Sequence, residues 1–287
     1  MRPLICQIRS GTPNTRLADY IHVVPPTPDA FTTTQLAPML RIAENPEHAQ
    51  LKRLNVTTLA MTITDHKALF DWQCTERSKG QMSAAYVDPM KRGTMVHRRI
   101  AKMVKLRGEN QENEGKLVKI IDSEKNPGIK NYLKSALPVI LEIQSPESAI
   151  CEQKVRHPML AYEGRFDAVV KYNDNWSILD WKTAPARSSF TTNGEYNIYS
   201  SRFVYQLAAY ASAFNHDIRF ETQPMVKSGM LVGLKEDGSS AEVLQIGEPE
   251  MEVTFGEVKE KLRDVWSKVS KTMENKRRKY VDFLYKP

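Results

Sequence analysis

Ile150-Cys151-Glu152-Gln153-Lys154-Val155, then Tyr162-Glu163-Gly164-Arg165-Phe166-Asp167-Ala168-Val169-Val170-Lys171-Tyr172, then Trp176-Ser177-Ile178-Leu179-Asp180-Trp181-Lys182-Thr183 read as three β-strands with carboxylates at their ends. Asn173-Asp174-Asn175 separates two apolar, β-branched runs and has the composition of a hairpin turn, which makes the last two strands antiparallel neighbours. On the last strand Asp180 and Lys182 stand two residues apart. The strand period puts both side chains on one face and turns Trp181 to the other.

An acid and an amine beside apolar Ile178 and Leu179 are costly to bury unless they are paired or bound to a metal. Asp167 follows Gly164 on the facing strand, within reach of the same point in space. Two carboxylates converging with a lysine suit a divalent metal that polarises a phosphate and lowers the pKa of a bound water. The lysine then orients that water or steadies the developing charge. A lone Asp-x-Lys on a strand is most often a solvated ion pair, so the reading rests on the company these residues keep.

Gly164-x-x-Asp167, Asp180-x-Lys182, the upstream Glu152 and the downstream Gln206-x-x-x-Tyr210 together resemble the PD-(D/E)xK nuclease superfamily in its RecB-like branch. That branch places a histidine on an earlier helix, and Gly93-Thr94-Met95-Val96-His97 has the matching form and order. Within the branch the chain is similar to the mitochondrial genome maintenance exonuclease family. The likeness lies in Leu54-Asn55-Val56-Thr57, Leu179-Asp180-Trp181-Lys182-Thr183 and the stretch Gln206 to His216.

The resemblance implies an α/β fold, a mixed central β-sheet flanked by helices. It implies Asp167, Asp180 and Lys182 as catalytic residues, and a Mg2+ or Mn2+ ion held by His97, Asp167, Asp180 and the main chain of Trp181. Glu152, Thr183, Gln206 and Tyr210 would support the site or contact DNA. It further implies a monomeric exonuclease that cuts single-stranded DNA from free ends during mitochondrial DNA replication, repair and flap processing, in the matrix.

The remaining composition bounds this reading. The 287 residues are 41% hydrophobic and 26% charged, as in globular proteins, and no apolar run approaches a membrane span of roughly eighteen residues. Net charge is +7, from 41 basic against 34 acidic residues, which is compatible with a phosphate-rich partner without establishing one. Three widely separated cysteines argue against a disulfide framework and against the four-cysteine iron-sulfur cluster of some RecB-like relatives.

Residues 1–50 carry arginines and hydroxyl residues with few acids, and read either as a mitochondrial targeting segment or as a disordered extension. Residues 51–287 read as one nuclease domain with a helical part over 51–145. Within it, helices are expected from Thr57 to Cys74, from Pro89 to Arg107, and from Asn131 to Ile143, the last interrupted or ended near Pro138. Between Gly108 and Asn126 charges dominate, with an exposed loop over Asn110 to Gly115. Arg77, Lys79, Lys91 and Arg92 are candidates for lying beside a phosphate backbone, with a solvated surface as the ordinary alternative. Arg165 is expected to face away from the metal. Arg202 to Asn215 reads as a helix whose Gln206 and Tyr210 share one face.

Met225 to Leu234 and Ala241 to Ile246 read as strands around a turn at Lys235–Gly238. Thr254 and Glu257 form a capping box that opens a last helix, followed by the basic cluster Lys276-Arg277-Arg278-Lys279. Two other readings stay open on the residues alone: another RecB-like DNA exonuclease of phage or recombination type, and a catalytically spent DNA-binding protein of the same fold.

Overall fold

The computed structural model describes residues 54–63, 84–109, 114–160, 162–184, 190–192, 195–196 and 198–263. The extension over 1–50, the latter part of the helix expected to Cys74, the stretch 75–83 and the cluster Lys276–Lys279 lie outside the described residues. The chain runs β1 (Leu54–Asn55), α1 (Val56–Ile63), α2 (Ala84–Glu109), α3 (Glu114–Ser123), α4 (Pro127–Glu142), β2 (Ile150–Cys151), β3 (Lys154–His157), β4 (Tyr162–Arg165) and β5 (Ala168–Tyr172). It continues through β6 (Asn175–Ala184), β7 (Thr191–Thr192), β8 (Glu195–Tyr196), α5 (Ile198–His216), β9 (Ser228–Lys235), β10 (Glu242–Ile246) and α6 (248–263).

Two compact units divide the chain: Met1–Met82 with Arg156–Glu163 and Gly256–Pro287, and Ser83–Val155 with Gly164–Phe255. In the first, β1 pairs in parallel with β4 through Leu54↔Tyr162 and Asn55↔Glu163. The Asn55 side chain accepts the Thr57 N–H at 2.9 Å and so caps α1, whose Val56, Leu59 and Ala60 are buried.

The second unit is built on a five-stranded mixed sheet in the order β10-β9-β6-β5-β2. Its central hairpin follows from local chemistry. Tyr172 pairs with Asn175, so the turn holds only Asn173 and Asp174, with φ of 46° and 62°. Positive φ at both central residues is the type I′ pattern, whose twist suits the flanking strands, and Asn and Asp adopt it at low cost. β6 and β9 run parallel, and α5 is the crossover that a parallel pair requires.

Alternation along β6 assigns the two faces of the sheet. Leu179 and Trp181 join Met230 and Val232 in a core with Val96 and Ile100 of α2 and Leu133 and Val139 of α4. On the other face α5 packs against β6 and β9. Its approach depends on Gly229, where a Cβ would lie 3.0 Å from Met251 Sδ and 3.2 Å from Leu207 Cδ1.

α4 starts where Asn126 accepts the Ile129 N–H at 3.2 Å with Pro127 in the first turn, and ends where Arg107 of α2 donates to the carbonyls of Leu141 and Ile143. Pro138 does not interrupt it. Pro138 and Lys134, four residues apart, are both exposed, so the carbonyl that loses its helical donor faces water. Ser135 and Asn131, one turn apart on α4, hold the β9–β10 hairpin: Ser135 Oγ accepts the Lys235 N–H at 2.9 Å, and the Asn131 amide donates to the Glu236 carbonyl at 3.0 Å.

Three local expectations are corrected. The charged stretch before Asn126 contains α3, an amphipathic helix that buries Leu117 and Ile121. The last helix begins at 248, with Pro249 in its first turn, and Thr254 lies inside it, buried. The first two strands are each broken: 150–155 at Glu152 and Gln153, and 162–172 at Phe166 and Asp167. The two segments still exchange main-chain bonds there, from Glu152 N–H to the Asp167 carbonyl at 2.8 Å and from Phe166 N–H to the Gln153 carbonyl at 3.2 Å.

Candidate active site

The strand breaks are where the acids stand. Glu152 occupies the bend between β2 and β3 with φ 54°, a left-handed conformation rare for a side chain of this size, and Asp167 occupies the gap ahead of β5. His97 projects from the middle of α2, one residue past buried Val96. One ligand atom from each of His97, Glu152 and Asp167 lies within 4.8 Å of the other two.

Asp167 is the hub of this group. Its Oδ1 is 3.1 Å from His97 Nδ1, and its Oδ2 accepts the Trp181 N–H at 2.8 Å. Glu152 is held in turn by Arg165, whose guanidinium donates to the Glu152 carbonyl at 2.7 Å and comes within 3.9 Å of its carboxylate. Arg165 was expected to face away. Arg165 stands two residues before Asp167, a spacing that the strand period puts on one face, and its guanidinium reaches the Glu152 main chain on the side of the acids.

On β6 the alternation holds: Trp181 is buried in the core, while Asp180 and Lys182 share the other face in an ion pair through Asp180 Oδ2. That oxygen is buried and accepts no well-aligned hydrogen bond. Lys182 Nζ also donates to Gln206 Oε1 at 3.4 Å and sits 4.1 Å from the centroid of the Phe203 ring. Gln206 passes the chain on to the Tyr210 hydroxyl at 3.4 Å. Tyr210 is 3% exposed, so it presents no ring face for a base to stack on. Thr183 lies beside α2, its Oγ1 3.4 Å from where a Cβ on Gly93 would stand.

Phe203 escaped the sequence reading, although the signal was present. It precedes Gln206 by three residues and Tyr210 by seven, which places it on the same face of α5.

The electrostatics describe a site with too much buried negative charge. Burial raises the Asp180 carboxyl above the ordinary range; Lys182 opposes that shift and Asp167 adds to it. Burial and then Asp167 raise Glu152, against the partial relief of His97, Arg165 and Arg98. Burial alone would lower His97, but the charge and hydrogen bond of Asp167 outweigh it and the net shift is upward. Groups pushed in these directions would be relieved by a cation. Two carboxylates and an imidazole, coupled to the Lys182-paired Asp180, are a donor set suited to Mg2+ or Mn2+.

Residues 48–280 match the PD-(D/E)XK nuclease superfamily, and the chain belongs to that family. It is 32% identical over 118 residues to Mitochondrial genome maintenance exonuclease 1 of Xenopus tropicalis, a match covering 41% of this chain and 31% of that one. The protein of the same name from Mus musculus is 31% identical over 110 residues, covering 38% of this chain and 30% of that one. The Homo sapiens protein is 29% identical over 110 residues, with 38% and 29% covered. The matched region thus spans less than a third of each relative's length. The crystal structure of SSO0001 superimposes with a TM-score of 0.37 at 14% identity, over 81% of this chain and 86% of that one, a likeness too loose to assign residue roles.

Proposed function

We propose that this chain is a metal-dependent exonuclease that hydrolyses phosphodiester bonds of single-stranded DNA from free ends, as a monomer. One observation carries the hydrolytic part: His97, Glu152 and Asp167 converge within 4.8 Å, with the buried Asp180, ion-paired to Lys182, electrostatically coupled to Asp167 and His97. His97, Glu152 and Asp167 would hold Mg2+ or Mn2+, with Asp180 and the Trp181 carbonyl as further ligands. A bound cation there supplies Lewis-acid stabilisation of the charge that grows on the phosphate.

The chain's own residues do the rest. Trp181 N–H fixes the Asp167 carboxylate, and Arg165 fixes the backbone at Glu152. Lys182, aimed by Asp180, Gln206 and Phe203, orients the attacking water and balances charge as the bond breaks. Single strands and free ends are supported by the motif resemblance, and a place in mitochondrial DNA replication, repair and flap processing, in the matrix, by the likeness to the relatives named above.

The test is a gel assay of end-labelled linear single-stranded, circular single-stranded and duplex DNA with Mg2+, Mn2+ or EDTA. Metal-dependent loss of linear single strands alone is the expected result. Cutting of circles or duplex points to a different nuclease of the superfamily, and no cutting in either metal overturns the enzymatic reading.

A further inference from the structure

From Pro89 to Gly108, α2 carries seven Lys and Arg residues and no acid. Three of the seven are engaged. Arg92 pairs with Glu236 at 3.7 Å, Arg99 pairs with Glu124 at 3.3 Å, and Arg107 caps α4. The other four, Lys91, Arg98, Lys102 and Lys105, are exposed, and none forms an ion pair among the described residues.

Those four are not scattered. At about 100° per residue they fall within an arc of about 60° on one side of the helix, along about 21 Å of its length. Like charges at this spacing repel and cost the helix a few tenths of a kcal/mol per pair; Glu109, one turn past Lys105 at the end of the helix, and Glu152, near Arg98, offset this only in part. The helix therefore sorts its cations: those that hold the fold lie on another side, about 80 to 160° round from Lys91, and those left open form one line. The line passes the acid cluster at Arg98, which follows His97 in sequence and whose positive charge favours the ionised form of Glu152, with Lys91 and Lys105 each about 10 Å further along the helix on either side.

We propose that Lys91, Arg98, Lys102 and Lys105 form a track for the sugar-phosphate backbone of single-stranded nucleic acid, running along α2 past the acid cluster. This rests on the nuclease reading and names the surface that feeds the site. The charge complementarity is that of cations to a regularly spaced polyanion. Arg98 and Lys102 are one helical turn apart, about 6 Å along the axis, which is close to the phosphate spacing of an extended strand. Contacts of this kind position the backbone and read no sequence.

The experiment is fluorescence anisotropy of a labelled single-stranded oligodeoxythymidine in EDTA, where no cleavage occurs, across a series of salt concentrations. The proteins are wild type, Lys102→Gln/Lys105→Gln, and Lys116→Gln/Lys119→Gln, the last pair being exposed cations of α3. The track predicts weaker binding for the first variant, with the slope of log K against log salt reduced by about 1.4, or about 0.7 per lost contact. The α3 variant keeps the wild-type slope. An unchanged slope in Lys102→Gln/Lys105→Gln, an equal loss in the α3 variant, or no binding by wild type overturns the track. Because binding is read without metal, a wild type that fails to cleave yet loses slope in the α2 variant sinks the nuclease reading and leaves the track standing.

Discussion

Asp180 has little freedom to change: it is 4% exposed, touches Lys182 and neighbours Asp167. Asp180→Ala is expected to abolish cleavage while single-strand binding, set by surface cations, is retained; the gel and anisotropy assays together read this, and undiminished cleavage would refute the site. Glu152→Gln keeps the shape of the bend but removes a ligand charge. Calorimetry should show Mn2+ binding weakened by about tenfold or more, and unchanged affinity would remove Glu152 from the metal shell. Phe203→Leu should lower kcat about three- to tenfold with KM unchanged, because the ammonium loses its aromatic seat, while Phe203→Tyr restores it. Equal losses in both variants would mean that Phe203 only fills space.

At this scale the sequence was legible where a period or a turn decides geometry. Asp180 and Lys182 sit where strand alternation put them, and Asn173 and Asp174 adopt the positive φ that their short polar side chains tolerate. Glu152 was not legible in the same way. Nothing local asks a glutamate for φ 54°; its own N–H donating to the Asp167 carbonyl, and the Gln153 carbonyl accepting the Phe166 N–H, hold the backbone there.

Among the elements, α2 and α4 meet through Arg107, whose guanidinium reaches the last carbonyls of α4. Those carbonyls have no helical partner, and a cation there also complements the helix dipole. Arg107→Ala is expected to lower stability by about 1 to 2 kcal/mol in urea melts, with the denaturant slope unchanged; no shift in midpoint would contradict the cap. Elements were readable in proportion to their apolar periodicity. α5 shows its buried Val204, Leu207, Ala208 and Ala211 openly, whereas α3 buries only Leu117 and Ile121 beneath a run of charges, too faint a period to stand out. Pro138 misled because its ring crowds the preceding turn and removes one donor; on the exposed face water can serve the freed carbonyl, which lowers the cost, and the buried face of α4 outweighs the rest.

Across the whole molecule, the mixed sheet flanked by helices follows from the order of elements, whereas the mixture of local and distant pairing does not. Stability at alkaline pH offers a global test. Burial, then the hydrogen bond and charge of Glu142, push Tyr172 up to about 12. The folded state keeps that proton after the unfolded chain has released it, so this contribution is whole below about pH 10 and is lost as pH rises to about 12. Thermal melts at rising alkaline pH should show the advantage of wild type over Tyr172→Phe shrinking through that window, and a constant gap would exclude the mechanism.

β2 is only two residues long and lies at the rim of the sheet, and the chain leaves it directly into Glu152. The donor cluster joins that rim to the middle of a helix more than fifty positions earlier and to the start of β5. A cation seated there closes two long loops at once, like a clasp on a collar. At a hundred times its dissociation constant it adds about 2.7 kcal/mol of stability. The chain would then be least sealed when it is least able to cut: amides over 150–153 should exchange quickly with solvent in EDTA and slowly in Mg2+, so that arming the enzyme and closing its frayed edge are one event.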